Sequence, residues 1–400
     1  MAISKIRSAT SVQGDEVLNK TLASLHQYET ELVITPTEKK IFEVVLNALF
    51  QAQKTAGTTW SIHKTAKNSR SLVIKLEGGI HKILHLPLNL RILSENGAIN
   101  HVILITKKVV GKGHFTNARL CYDLVNNRPY VKKNILNETE YSIIFYLKEH
   151  PLQGIVSIFS VWGRVPNYRF LEPLYPDTLA NFFNIDARKN EKIKCSLIRD
   201  LLSGLANLHS IDLINHHGRV FHDDLHPGNI LVRASTNLAG WEAVIIDFNH
   251  ACCKFAGGGN LAFRFPEEAS IKRLGNSLET ADQRKFFLKY GQKMDVWSMG
   301  IILACILKAE FIKNEAPLPS LTTFWQRRSV LADFELALSK SGLDQEIKSD
   351  IDELSKTYSF ENSDKIWNLM KKMLQPNPDK EGITAAEALA EFNTICPDNS

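Results

Sequence analysis

Residues 220–232 read VFHDDLHPGNILV, a loop dense in acids and histidines that runs into an apolar stretch. Downstream, VIIDFNHA (244–251) sets a second acid, Asp247, directly behind a run of apolar residues. Oxygen-bearing side chains delivered by neighbouring strand ends can hold a hard divalent cation. Magnesium takes about six oxygens near octahedral geometry and uses one or two carboxylates, with phosphates and water completing the shell. A further carboxylate, Asp224, is then left to accept a proton. A metal clamp plus one base that orients an attacking hydroxyl is the division of labour of phosphoryl transfer. An isolated loop Asp is usually a cap or turn residue, but here the spacing and the flanking apolar runs recur at two places.

Such side chains need a scaffold, and the hydrophobic pattern supplies one. The first thirty residues are polar and aperiodic and read as a loose tail. TEKKIFEVVLNALFQAQ (37–53) places Ile41, Val44, Val45, Ala48, Leu49 and Ala52 at helical spacing, with Thr37 as the expected N-cap. The stretches SLVIKLEGG, HKILHLPLNLRIL and INHVILITKKVV follow and are β-rich. Residues 101–175 alternate short strands with one helix, and from 177 onward the pattern is mainly helical, broken by a loop-rich stretch between His216 and Pro266. VWSMGIILACIL reads as core. A small β-rich lobe followed by a larger helical one leaves a cleft, where small ligands usually bind.

His222-Asp223-Asp224-Leu225-His226-Pro227-Gly228-Asn229 resembles the protein-kinase catalytic loop, and Asp247-Phe248-Asn249 resembles its DFG motif. The resemblance implies Asp224 as catalytic base, Asn229 and Asp247 as ligands of Mg2+ or Mn2+, and His222 and Phe248 as packing residues. The DLHPGN wording is also similar to aminoglycoside and lipopolysaccharide kinases. Two later segments narrow the family: 259–267 matches the spacing of GTxxYxAPE, and Lys293-Met294-Asp295-Val296-Trp297-Ser298-Met299-Gly300 is close to the DVWSxG helix start. By the same resemblance Asp295 braces the catalytic loop by accepting backbone hydrogen bonds.

VVGKGHFTNARL (109–120) resembles the glycine-rich loop over ATP phosphates, with Gly111, Lys112, Gly113, His114 and Phe115 at the nucleotide. Thr116 stands for the third glycine and Ala118 for the valine over the base. In PYVKKNI the phosphate-binding lysine aligns as Lys133, with Lys132 as the alternative; its helix partner is Glu140, or else Glu138. YRFLEPLYPDTL (168–179) reads as the hinge, with Leu171 as gatekeeper and the backbone of Glu172 and Leu174 on the adenine edge.

The resemblance therefore implies an α+β bilobal kinase-like fold: an N-lobe over 101–172, a hinge over 172–175 and a C-lobe over 176–395, preceded by an accessory α/β region over 1–100. It also implies ATP and a protein substrate bearing Ser or Thr. Several positions depart from the family. Asp223 replaces the Arg that pairs with an activation-loop phosphate, and FNHACCKFAGGGNLAFRFP (248–266) holds no Ser, Thr or Tyr. Receiver and signal are absent together, so control by activation-loop phosphorylation is not expected; an activating partner is the alternative. Asn249 replaces the DFG glycine, and His226 replaces a lysine, leaving a neutral imidazole that can donate one hydrogen bond. Lys380 is the candidate partner of Glu267. Extra segments lie at 211–219 and between Glu267 and Asp295.

Net charge is +5, with a pI near 8.7, too mild to argue for nucleic acid. The six cysteines form no CxxC pair, which points away from a disulfide framework or zinc ribbon and toward a reducing compartment; Cys252-Cys253 reads as unremarkable. The start carries no apolar signal core, and no apolar run reaches the roughly 20 residues of a spanning helix. A cytoplasmic protein is expected, or one acting in a host cytosol, since the divergent motifs resemble bacterial kinases that include secreted effectors. The rival readings are a nucleotide-binding pseudokinase scaffold and a small-molecule kinase.

Overall fold

The computed structural model describes residues 11–27, 35–55, 58–64, 70–75, 81–86, 89–95, 98–112, 117–163, 167–185, 190–213, 220–235, 240–251, 263, 281–310, 317–321, 340–376 and 382–397. They form an α+β architecture that divides into two compact units, residues 1–134 with 169–174, and residues 135–168 with 175–400.

The first unit opens with two helices, α1 (Ser11–Gln27) and α2 (Pro36–Lys54). The expectation of a loose tail is overturned for 11–27: Leu18 and Leu25, two turns apart, are both buried against α2 and the strands. The N-cap of α2 is Thr35 rather than Thr37. Pro36 occupies the first helical position, where its missing N–H costs nothing, and Thr35 and Glu38 cap one another reciprocally. The buried face is also rotated from the expected stripe. Ile41 and Val44 are exposed while Phe42, Leu46 and Phe50 are inside, because burying two phenyl rings removes more apolar area from water.

Three strands, β1 (Thr59–Lys64), β2 (Arg70–Lys75) and β3 (His81–Leu86), make one antiparallel sheet. The stretch expected as HKILHLPLNLRIL is two strands, and its second half, β4 (Leu90–Glu95), starts another sheet. There β4, β5 (Ala98–Lys112), β6 (Asn117–Asp123), β7 (Arg128–Asn134) and β9 (Arg169–Pro173) are successive antiparallel neighbours. Residue 100 thus lies inside a strand. Leu72, Val102, Leu104, Leu120 and Tyr122 join α1 and α2 in a single core.

The second unit contains α3 (Glu138–Glu149), β8 (Ser160–Trp162), β10 (Asp177–Thr178), α4 (Leu179–Phe182), α5 (Glu191–Ser210), β11 (Ile230–Ala234), β12 (Trp241–Ile245) and α6 (Ala281–Lys308). It closes with α7 (Lys340–Thr357), α8 (Ser363–Met373) and α9 (Ala385–Ile395). The run Met299–Leu307 is buried throughout in α6, as its composition required. Among the described residues no helix is long and apolar enough to cross a membrane.

Two contacts place the site-bearing segments of this unit. Gly154 has a φ of +72°, and a Cβ built on Gly204 of α5 would sit 2.3 Å from the Gly154 carbonyl oxygen, so both must be glycine. That approach lets Gly154 O accept from Ile245 N at 2.9 Å and fixes the end of β12. In α6, Gly291 leaves room for the Phe221 ring, which a Cβ would meet at 2.6 Å.

Candidate active site

Within the second unit the catalytic-loop segment is held from both ends. Asp295, 1% exposed on α6, accepts the His222 N–H at 2.6 Å and the Asp223 N–H at 3.0 Å. His209 Nε2, from the last turn of α5, lies 3.0 Å from the same carboxylate. Two backbone bonds onto one buried carboxylate hold Asp223 at a φ of +63°, a region few non-glycine residues adopt.

His222 is fully buried, and its Nε2 is 2.8 Å from the Ile246 carbonyl. A carbonyl only accepts, so Nε2 carries the proton, which leaves Nδ1 to accept the Asp224 N–H at 3.3 Å. One imidazole therefore ties the loop bearing Asp224 to the residue preceding Asp247. Phe248 packs on its ring at 5.4 Å between centroids.

Pro227–Asn229 forms a single 3-10 turn that feeds β11. Asn229 Nδ2 donates to Asp224 O at 2.9 Å and to Asp224 Oδ2 at 3.3 Å. Asn229 O accepts from Ile246 N at 3.0 Å. Asp247 follows with a φ of +68°. The His226 imidazole takes the Gly228 N–H on Nδ1 at 3.0 Å, so its proton is on Nε2, 3.9 Å from Asp224 Oδ2. Burial pushes the His226 pKa below its usual value. Asp224 and then Asp247 oppose that shift, and His222 adds to it. The amide nitrogen of Asn229 is spent on Asp224, which leaves the amide oxygen for a cation. With the Asp247 carboxylate this is the hard-oxygen donor set magnesium takes, and the residues fit such an ion.

α3 starts from Asn137, whose Oδ1 accepts the Glu140 N–H at 2.8 Å. Glu140 is 4% exposed and its Oε2 accepts from Leu136 N at 2.7 Å, whereas Glu138 faces solvent. Asn137 Nδ2 also donates to the Asn249 carbonyl at 2.9 Å.

In the first unit, strand register sorts the two candidate lysines. Leu120 faces Val131, which faces Glu172, while Arg119 faces Lys132, which faces Leu171. Opposed residues share a face and alternate residues swap it. Ala118, Val131, Lys133 and Glu172 are therefore on one side, and Arg119, Lys132 and Leu171 on the other. Lys133 Nζ is 2.7 Å from Glu172 Oε1. Lys132 has its pKa lowered by burial and then by Arg169 and Arg119. The expected gatekeeper Leu171 shares the Lys132 face. The first two residues of the expected hinge belong to β9, and Leu174 N is 3.4 Å from Pro129 O.

Gly111 and Lys112 end β5, and Gly113, His114 and Phe115 lie outside the described residues. So do Cys252, Cys253, Glu267, Lys380 and all of the 248–266 segment except 248–251 and Phe263. Two contacts at the candidate site were not read from the sequence, the Glu172 carboxylate on Lys133 and the Asn137 side chain on Asn249. The second was visible as an Asn-x-x-Glu cap pattern; the first depends on register.

The family profile described as "Protein kinase domain" matches residues 104–392. The chain belongs to the protein kinase domain family. Mitogen-activated protein kinase 13 of Pan troglodytes is 24% identical over 282 residues, covering 66% of this chain and 68% of that protein. Calcium-dependent protein kinase 21 of Arabidopsis thaliana is 25% identical over 298 residues, covering 70% of this chain and 47% of that protein. The chain thus spans about half the length of the calcium-dependent relative. A solved structure of the Rad53 kinase domain and SCD2 aligns at 19% identity with a TM-score of 0.47, over 72% of this chain and 86% of that one.

Proposed function

We propose that this kinase-family chain transfers the γ-phosphoryl group of Mg-ATP to Ser or Thr hydroxyls of a protein, without control by activation-loop phosphorylation. The observation that carries the reading is the Asn229 amide, whose nitrogen is bonded to Asp224 and whose oxygen would be left, with the Asp247 carboxylate, for a cation. Bound magnesium would neutralise phosphate charge. Asp224 accepts the hydroxyl proton, Asn229 keeps its carboxylate in place, and the Nε2–H of His226 faces the same locus as a neutral donor. Lys133 holds the α- and β-phosphates, and the backbone around Gly111 approaches the triphosphate. Residues 1–100 serve as an accessory layer on a kinase domain of 101–395. The place of action in this reading is a cytoplasm, either the cell's own or that of a host.

Asn249 in place of the DFG glycine favours one rival, a nucleotide-binding scaffold without turnover. The deciding experiment is transfer of labelled γ-phosphate by the wild type, Asp224→Ala and Asp247→Ala, with magnesium and then manganese, offered protein substrates and small polyols. Transfer to protein that both substitutions abolish supports the reading. Equal signals in all three chains would sink it, and transfer only to polyols would favour a small-molecule kinase.

A further inference from the structure

We propose that Glu172 is a positioning residue of the nucleotide site, holding the Lys133 ammonium from within the sheet. This deepens the kinase reading and rests on it. The pairing is built by register: β7 and β9 run antiparallel with Lys133 opposite Phe170 and Val131 opposite Glu172, so the lysine and the carboxylate are diagonal neighbours on one face. Nζ and Oε1 are 2.7 Å apart. The two ends differ in exposure: the Glu172 side chain is 2% exposed and that of Lys133 is 16%. The carboxylate is thus the more buried end and the ammonium the more exposed, on the side that also carries Ala118, Leu120 and Val131, with Leu120 itself in the core. The apolar residues beside the cation, Ala118 and Val131, suit the base of a nucleotide and the cation its phosphates.

The Glu172 bond uses one of the ammonium's three donors. A carboxylate buried to this degree is costly unless paired, and strand-borne side chains are placed more tightly than loop-borne ones. The lysine is therefore seated by two adjacent strands of its own unit. This gives Glu172 a side-chain role beside the backbone role its position in the chain suggests. It also separates the two lysines: Lys132 has Arg119 directly opposite, and Arg169 and Arg91 lie near it, whereas Lys133 has a carboxylate partner.

The test is the reactivity of Lys133 in the full-length chain, read by peptide mass spectrometry after brief exposure to an N-hydroxysuccinimide ester, which acylates only neutral amines. Losing the carboxylate lowers the lysine's affinity for its proton. Glu172→Gln should therefore raise the labelling rate at Lys133 about tenfold, as a fall of one unit in pKa gives. Glu149→Gln, at the last residue of α3 and paired with Lys148, should stay within about twofold of wild type. Glu172→Asp, which keeps the charge but withdraws it by one methylene, should fall between and covers the case in which the glutamine variant does not fold. Circular dichroism checks each chain. Wild-type rates in both Glu172 variants, or a Glu149→Gln rise equal to that of Glu172→Gln, would overturn the proposal. Added ATP should protect Lys133 in the wild type. Lack of protection together with an intact Glu172 effect would overturn the nucleotide-site role while the ion pair itself stood.

Discussion

The side chain of Asn137 joins the start of α3 to the segment that follows Asp247: its Nδ2 donates to the Asn249 carbonyl at 2.9 Å while its Oδ1 caps the helix through the Glu140 N–H at 2.8 Å. In family members that carry the catalytic-loop Arg, a phosphate on the activation loop organises this neighbourhood. Here Asp223 stands at that position, and the uncharged Asn137 amide links the two segments. Asn137→Asp keeps the capping acceptor and loses the donor, and Asn137→Ala loses both. We expect Asn137→Ala to lose about 1 kcal/mol of stability with the cap and Asn137→Asp to melt close to wild type. Both should need several-fold more magnesium for half-maximal phosphate transfer. A magnesium titration of each variant, beside its melting curve, checks this; unchanged magnesium dependence in both would remove the link from the mechanism.

Asp295 carries the catalytic loop on two backbone N–H groups and is itself 1% exposed. Asn offers one acceptor oxygen where Asp offers two, and its NH2 would confront an N–H. Leaving one buried donor unmet costs about 1–3 kcal/mol. Asp295→Asn should therefore destabilise the chain by that amount in urea unfolding. Transfer activity should fall by more than tenfold even at temperatures where the variant is fully folded, since Asp223 would no longer be held at positive φ.

How much of this was legible beforehand follows from what each residue depends on. Asp224, Asn229 and Asp247 could be singled out because their types and their spacing beside apolar runs are written in the chain, and the structure joins Asn229 to Asp224. Asp295 could be read from its motif, and the structure has it accepting the two backbone bonds the resemblance implied. Glu172 could not be read as the partner of Lys133, because that contact depends on which residue of β9 lies opposite which residue of β7. A slip of one residue would hand Lys133 the Leu171 face instead. The helix at Ser11–Gln27 was hidden for a related reason. Its polar surface dilutes the apolar signal, and only a partner helix and a sheet beneath it make burial of Leu18 and Leu25 worthwhile.

His226 gives the site a pH dependence of defined sign. Burial favours its neutral form, so its folded-state pKa lies below that of the unfolded chain, with Asp224 and Asp247 opposing and His222 reinforcing. A base with a depressed pKa contributes stability that is fully present above its unfolded value, near 6.5, and is lost as pH falls through the lower folded value. Protonation would also remove the Nδ1 acceptor that holds Gly228 N. Melting temperature should therefore drop on acidification below about pH 6.5, and His226→Gln should show a shallower drop. Parallel melting curves for both chains across that range would contradict the assignment.

Gly204 tests whether the end of β12 governs the position of Asp247. A methyl group there would meet the Gly154 carbonyl oxygen at 2.3 Å, backbone against backbone with no flexible side chain to give way. The strain expected for such overpacking is about 1–3 kcal/mol. If the loop at Gly154 relieves it by moving, the bonds from Ile245 N to Gly154 O and from Val156 N to Ile245 O must lengthen. Those bonds set the strand that delivers Asp247. Gly204→Ala should therefore lose both stability and metal-dependent transfer, whereas Ala206→Gly, on the same helix, should lose only the small propensity difference between glycine and alanine, about 1 kcal/mol. Measuring unfolding free energy and magnesium-dependent rate on the two variants separates them. A Gly204→Ala chain that is destabilised yet transfers phosphate at the wild-type rate at low temperature would show that β12 can shift without moving the Asp247 carboxylate.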